Sequence, residues 1–288
     1  MDWSPDRRLQ GRMLLALALT LVGYAALLWI AFSTVPTAVA LLICGALAVA
    51  LIASVTRADL ITYVATGAVA IDRDQYPLLY ETTERLARQA DLPRPPIAVI
   101  PADEANALSA GTGNRTVVCV TTGLLRSLSE DELEAVLAHE LAHLKNEDST
   151  VMTVAGFPMV VSAVALSTAR RTFTPASFLL GIPLWIGLTL LFVGLPVYLA
   201  SLPGTLVLSR YREYAADRGA VAITGKPFAL ASALATLHAE SSAPETDLRS
   251  VAGFNAFRIV PTDSMSPFST HPPTHRRIER LREQFTDR

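Results

Sequence analysis

From Pro175 to Ser209 this chain carries no charged side chain, and three more uncharged apolar stretches run from Met13 to Val35, Thr37 to Val55 and Val151 to Ala169. Each approaches or exceeds the roughly 20 residues that a helix needs to cross the hydrocarbon of a bilayer. Inside lipid no water is available to bond the backbone, so such segments are confined to helices. Composition agrees: the chain is 51% hydrophobic and 17% charged, more apolar than a soluble domain's core requires. The first two stretches, parted by Pro36, read as a helical hairpin. The fourth exceeds one span, and Pro183, Pro196 and Pro203 are expected to break it into a span plus an interfacial or re-entrant piece.

Between the two apolar pairs stands His139-Glu140-Leu141-Ala142-His143, an HExxH motif. Residues four apart on a helix share a face, so the two imidazoles can grip one metal ion. Beside it, the Glu140 carboxylate can take the proton of a water that the metal acidifies. The surroundings supply the helix. Ser129 and Glu132 make a capping box, and Leu133, Val136, Leu137, Ala138, Leu141 and Leu144 provide helix-spaced apolar residues, so a helix is expected from about Glu130 to Asn146.

Arg7, Arg8 and Arg12 precede the first stretch, and Ala38-Val39-Ala40 has the small residues of a signal-peptidase site. The run is longer than a signal-peptide core and a second apolar stretch follows at once, so a retained signal anchor is expected. The positive-inside rule then puts Arg7, Arg8, Arg12 and Arg57 on the cytoplasmic side, although Arg170 and Arg171 fall outside and run against this orientation. A multi-pass protein of the cell membrane with a cytoplasmic catalytic domain is the resulting expectation. The organisation reads as a membrane hairpin (1–56), a first catalytic part (57–149), a second membrane hairpin (150–209) and a second catalytic part (210–288). A net charge of −2 and the lack of a basic stripe exclude a nucleic-acid partner. Cys44 and Cys119 form no CxxC and read as small buried hydrophobes.

In the first catalytic part, Tyr76 to Ala90 has the pattern of an amphipathic helix, and Asp91 to Pro96 breaks it. Ile97 to Ile100, Asn106 to Ser109 and Thr116 to Val120 read as strands, with a tight turn at Gly111 and Gly113, and the small sheet is expected to pack on the HExxH helix. A catalytic zinc takes three protein ligands, so the two histidines leave the site one short. Arg210 to Asp217 is a second helix-forming stretch in which Glu213 and Asp217 lie four apart. Glu213 is the best third ligand, and Asp217 can fix the tautomer of a ligand histidine. Both ligand helices must share one side, which requires an even number of crossings between Asp148 and Arg210. His238 and His275 read as surface or packing residues, and Arg276, Arg277, Arg280 and Arg282 as a headgroup or solvent face.

Several stretches together resemble the HtpX-type membrane zinc metalloproteases, relatives of the CaaX prenyl proteases. They are Asn106-Ala107-Leu108-Ser109-Ala110-Gly111, Thr121-Thr122-Gly123-Leu124-Leu125, Leu137 to His143, Arg212 to Asp217 and Ser269-Thr270-His271-Pro272-Pro273. The resemblance runs from about Asp74 to Leu281. It implies one zinc ion held by His139, His143 and Glu213, Glu140 as base, and Asp217 orienting a ligand histidine. It also implies a mainly α membrane protein, two transmembrane hairpins joined to a gluzincin-like metallopeptidase domain with a small β-sheet. It gives Asn106, Ala107, Leu108, Ser109 and Ala110 to an edge strand that pairs with an extended substrate, places His271 at the scissile carbonyl and has Arg277 brace the site. Leu108 departs from the family, where an aromatic residue is common.

The function these residues point to is a membrane-embedded zinc endopeptidase acting on polypeptides, with the resemblance adding quality control of misfolded or damaged membrane proteins. Its partners are then polypeptide substrates and the bilayer, with self-cleavage left open. A dedicated processing peptidase of the prenyl-protein type and a non-proteolytic membrane regulator with a structural zinc are the alternatives. The second would need a fourth ligand to close its site, and no second thiol is near Cys119 to supply one.

Overall fold

A computed structural model describes residues 7–179, 184–240 and 272–286. Its helices are α1 (Arg7–Thr34), α2 (Thr37–Thr56), α3 (Ala58–Thr66), α4 (Pro77–Gln89), α5 (Thr122–Ser127), α6 (Glu130–Lys145), α7 (Asp148–Thr172), α8 (Pro175–Leu179), α9 (Leu184–Thr224), α10 (Pro227–Glu240) and α11 (Thr274–Thr286). The strands are β1 (Val69–Ala70), β2 (Ile97–Ile100), β3 (Ala107–Thr112) and β4 (Arg115–Thr121). The chain divides into two units, one of Asp6–Ile52 with Met152–Leu208, the other of Ala53–Val151 with the chain from Ser209.

The first unit is helical. Helices α2, α7 and α9 are each long and apolar enough to cross a bilayer, and the described part of α1 adds a shorter apolar run, Ala18–Thr34. Trp29, Leu42 and Phe192 stand more than two-thirds exposed, as side chains facing lipid do. Small residues let helices approach: a Cβ on Gly23 would lie 2.2 Å from the Ser201 hydroxyl, so a larger residue there would have to displace that side chain. Tyr24 donates its hydroxyl to the Val154 carbonyl at 2.7 Å. Pro196 and Pro203 were expected to interrupt the fourth stretch, but both lie inside the continuous helix α9. Without water to take up freed backbone groups, a local adjustment around proline costs less than ending the helix in lipid. Pro183 lies outside the described residues.

The second unit is built on a four-stranded sheet of order β1-β2-β4-β3. β2 and β4 are parallel, while β1–β2 and β3–β4 are antiparallel, so β3 is an edge. Alternation along the strands gives the sheet two apolar faces. Ala107, Val118, Val120, Ile97 and Val99 join the core formed with α4, α6 and α10. Leu108, Ala110, Val117, Cys119, Ala98 and Ile100 form a second cluster, against which Tyr63 of α3 packs. The three expected strands are present, with β3 running on through Gly111, and β1, α3 and α5 were not foreseen. Gly111 has φ +101°, and an added Cβ would lie 1.8 Å from the Arg115 carbonyl oxygen. Gly123 is excluded from substitution in the same way by the Asp103 carbonyl, 2.1 Å from a built Cβ. The segment Arg210 to Asp217 is not a separate helix but part of α9.

Candidate metal centre and active site

Helix α6 starts where its sequence says. The Ser129 N–H donates to the Glu132 carboxylate at 2.9 Å, and the carboxylates of the first turn face the helix's positive end. Glu132 also accepts from Ser232 of α10 at 2.6 Å, which fixes α6 laterally. Along its length Leu133, Val136, Leu137 and Leu141 are buried, so the helix cannot rotate without exposing core. His139, Glu140 and His143 are buried with it.

The two imidazoles turn Nε2 toward Nε2, 3.1 Å apart. Glu213 meets them from α9, Oε2 lying 3.6 Å from His139 Nε2 and Oε1 3.7 Å from His143 Nε2. All three donor atoms lie within 4.8 Å of one another. Ligand atoms around a tetrahedral zinc sit about 3.3 Å apart, so this donor set fits a divalent ion of that kind.

Behind each imidazole stands a carboxylate. His139 Nδ1 lies 3.1 Å from Asp217 Oδ1, and His143 Nδ1 lies 2.7 Å from Asp148 Oδ2. Each carboxylate favours a proton on Nδ1 and thereby leaves Nε2 with its lone pair for a metal. Burial pulls the His139 imidazole toward neutrality, but the Asp217 and Glu213 carboxylates beside it outweigh burial and raise it to about 9.

Two buried guanidiniums offset these carboxylates. Arg277 of α11 makes a fork on Asp217, with Nε to Oδ2 at 2.9 Å and Nη2 to Oδ1 at 2.6 Å, and its Nη1 lies 3.3 Å from Glu213 Oε2. Arg212 Nη2 lies 3.3 Å from Glu213 Oε1. Arg277, 1% exposed, is therefore no part of a solvent face, whereas Arg276, Arg280 and Arg282 are exposed. Though burial disfavours its charge, the carboxylates of Asp217 and Glu213 hold Arg277 above its ordinary value.

Edge strand β3 is fastened to the same helix, because the buried Ser109 hydroxyl donates to the Glu140 carbonyl at 3.1 Å. Gly111 N–H points away from β4, to Ser149 Oγ at 3.3 Å. By the alternation of an antiparallel ladder, Ala107 and Ser109 present their backbone groups to that same open side, while Leu108 and Ala110 bond to β4. Asn106 at the head of the strand is held by Thr121. The Asn106 N–H donates to Thr121 Oγ1 and the Thr121 N–H to the Asn106 carbonyl, both at 2.9 Å. His271 lies outside the described residues.

Among the sequence-derived candidates, the structure thus brings together His139, His143, Glu213, Asp217 and Arg277, with Glu140 buried on the same helix as the two histidines. It adds Asp148 and Arg212. An acidic residue five positions after the second histidine was a usable signal for Asp148. Arg212 gave none, since its burial depends on the packing of α9.

Comparison with known proteins agrees with this geometry. Residues 74–285 match the model of peptidase family M48. The chain is 39% identical over 287 residues to "Protease HtpX homolog 2" of Methanosarcina mazei, covering 97% of this chain and 96% of the relative. It is 38% identical over 302 residues to "Protease HtpX homolog 1" of Streptomyces coelicolor, covering 96% and 92%. The fold is similar to the crystal structure of S. mikatae Ste24p, with a TM-score of 0.55 at 21% identity over 96% of this chain and 67% of that one.

Proposed function

The chain belongs to peptidase family M48 as an HtpX-like membrane metalloprotease, and from that premise we propose that it is a zinc endopeptidase that cleaves misfolded or damaged membrane proteins at the cytoplasmic face of the cell membrane. The observation that carries the zinc reading is the convergence of His139 Nε2, His143 Nε2 and Glu213 on one point, with a carboxylate behind each imidazole. His139, His143 and Glu213 would hold a zinc ion, one per chain. When bound, zinc acts as a Lewis acid that polarises the scissile carbonyl and acidifies the attacking water.

The remaining work falls to the chain itself. Glu140, buried on the same helix, accepts the proton of the attacking water and passes it to the leaving amine. Asp217 and Asp148 fix the tautomers of His139 and His143, and Arg277 keeps Asp217 and Glu213 in place. β3 takes the substrate as an added strand through the outward backbone groups of Ala107 and Ser109, with Asn106 at its head and Leu108 and Ala110 anchoring it to the sheet. Main-chain pairing reads backbone rather than side chains, which supports action on many unrelated sequences. His271 takes the oxyanion role that the family resemblance implies.

The test is cleavage of an unfolded protein by the detergent-purified, zinc-reconstituted enzyme beside Glu140→Ala at equal zinc content. Cleavage is expected from the parent alone, with a loss of roughly 10²–10⁴-fold in the variant. Equal cleavage by both would overturn Glu140 as base, and none by either would overturn the broad specificity.

A further inference from the structure

Helix α3 sits at the exit of a membrane-crossing helix. α2 ends at Thr56 and α3 begins at Ala58, with only Arg57 between them. Leu60, Ile61 and Val64 are 52%, 41% and 78% exposed and fall on one side of α3. The other side is committed to the catalytic unit: Thr62 is buried, and Tyr63 packs on the cluster containing Leu108 and Ala110 of β3. At 1.5 Å of rise per residue, Val64 lies within about 12 Å of chain from the end of α2, while the headgroup layer is roughly 5–8 Å deep on each side of a bilayer.

Cations mark the same level. Arg57 is exposed at the junction. Arg115, at the tip of the β3–β4 hairpin, donates through Nη1 to the Thr56 carbonyl at 3.4 Å, so that hairpin is tied to the last residue of α2. Exposed apolar side chains flanked by arginines one residue beyond a span are the composition of a helix that lies in the lipid interface.

We propose that α3 is an interfacial helix whose Leu60, Ile61 and Val64 side chains enter the headgroup–acyl boundary, and that it seats the edge strand β3 at the bilayer surface. The occupant of this face is lipid, since the face continues a membrane-crossing helix and arginines border it. Resting on the reading of β3 as a peptide-pairing strand, the substrates favoured are extended segments held at the membrane surface.

The experiment uses the full-length, zinc-loaded protein in phosphatidylcholine–phosphatidylglycerol vesicles, in a Cys44→Ala background. An environment-sensitive fluorophore is attached at Val64→Cys or, for comparison, at Glu81→Cys, an exposed polar site on α4. Acyl-chain spin labels are expected to quench the Val64 probe at least about threefold more than the Glu81 probe, with aqueous iodide in the reverse order. A Val64 probe open to iodide and untouched by the lipid quencher would overturn the proposal. So would a probe shielded from both, because protein would then cover the face.

This readout needs no hydrolysis and fails independently of the peptidase reading. For the seating of β3, Leu60→Gln/Val64→Gln is expected to lower kcat/KM on an acyl-tethered peptide about fivefold more than on the same peptide free in solution, through lost effective concentration. Equal losses on the two peptides would overturn the seating.

Discussion

Asp148 Oδ2 lies 2.7 Å from His143 Nδ1, brought there by a turn through Glu147, whose φ of 53° is left-handed. That conformation, costly for a residue with a Cβ, separates the end of α6 at Lys145 from the start of α7 at Asp148, five residues after His143. Asp148 fixes which nitrogen of His143 carries the proton.

Replacing Asp148 with Asn is therefore expected to weaken zinc binding by about 10–100-fold. Competition against a chromophoric chelator measures it, and circular dichroism is expected to be unchanged. The cobalt-substituted variant is expected to show an altered visible spectrum, which a substitution felt only in the fold would not produce.

What the sequence made legible follows the range of the signals. The capping box, the apolar spacing around His139 and His143 and the ExxxD pair at Glu213 and Asp217 are periodic or local, and α6 and the three donor residues stand where they pointed. Arg277 looked like one of four similar arginines in a basic helix, because its burial depends on two carboxylates far back in the chain, Asp217 60 positions earlier and Glu213 four positions before that, a relation that periodicity does not encode. Pro196 and Pro203 misled for a different reason: proline's helix-breaking rule is calibrated in water, and α9 is apolar over most of its length. β1 has only two residues, too few for a strand pattern, and pairs because β2 offers it an edge.

Cys119 is buried in the sheet, and desolvation, aided by the nearby Glu140 carboxylate, pushes its thiol up to about 12. A thiol reacts as its thiolate, so Cys119 is expected to resist alkylation at pH 8 in the folded protein and to react once the chain is unfolded. Mass spectrometry after a timed iodoacetamide pulse, in a Cys44→Ala background, checks this. Fast modification of the native protein would mean that β4 opens locally.

Glu134 of α6 bonds Arg85 of α4 at 3.0 Å and Lys226, just before α10, at 3.1 Å. The Arg85 bond, against desolvation and with help from Lys226, holds its carboxyl below the ordinary value. A depressed folded pKa stabilises the fold above the unfolded value of about 4.3, and that contribution is lost as pH falls through the lower folded value. Both cations are partly exposed, so the net effect is small. Glu134→Gln is expected to be less stable than the parent by about 0.5–1 kcal/mol at pH 7. The two should converge near pH ~3, as followed by thermal unfolding in detergent. A gap that stays constant with pH would show that the side chain acts through packing instead.

Arg277 carries the largest predicted cost. Its fork on Asp217 and its approach to Glu213 are buried, and truncation would leave two carboxylates without their main counter-charge. Breaking such a pair from one side costs about 3–5 kcal/mol, more than the pair itself contributes. Arg277→Ala is thus expected to fold poorly, and Arg277→Lys to fold but lose the two-pronged geometry, since a point charge cannot bond both oxygens of Asp217 in parallel. The informative variant is Arg277→Ala combined with Asp217→Asn. Removing both charges is expected to recover much of the stability lost by Arg277→Ala alone while leaving zinc affinity reduced, because His139 then has only a neutral amide behind Nδ1. Thermal unfolding and chelator competition on the four members of this cycle separate the two effects. Additive stabilities would mean that Arg277 and Asp217 act independently, against their 2.6 Å contact.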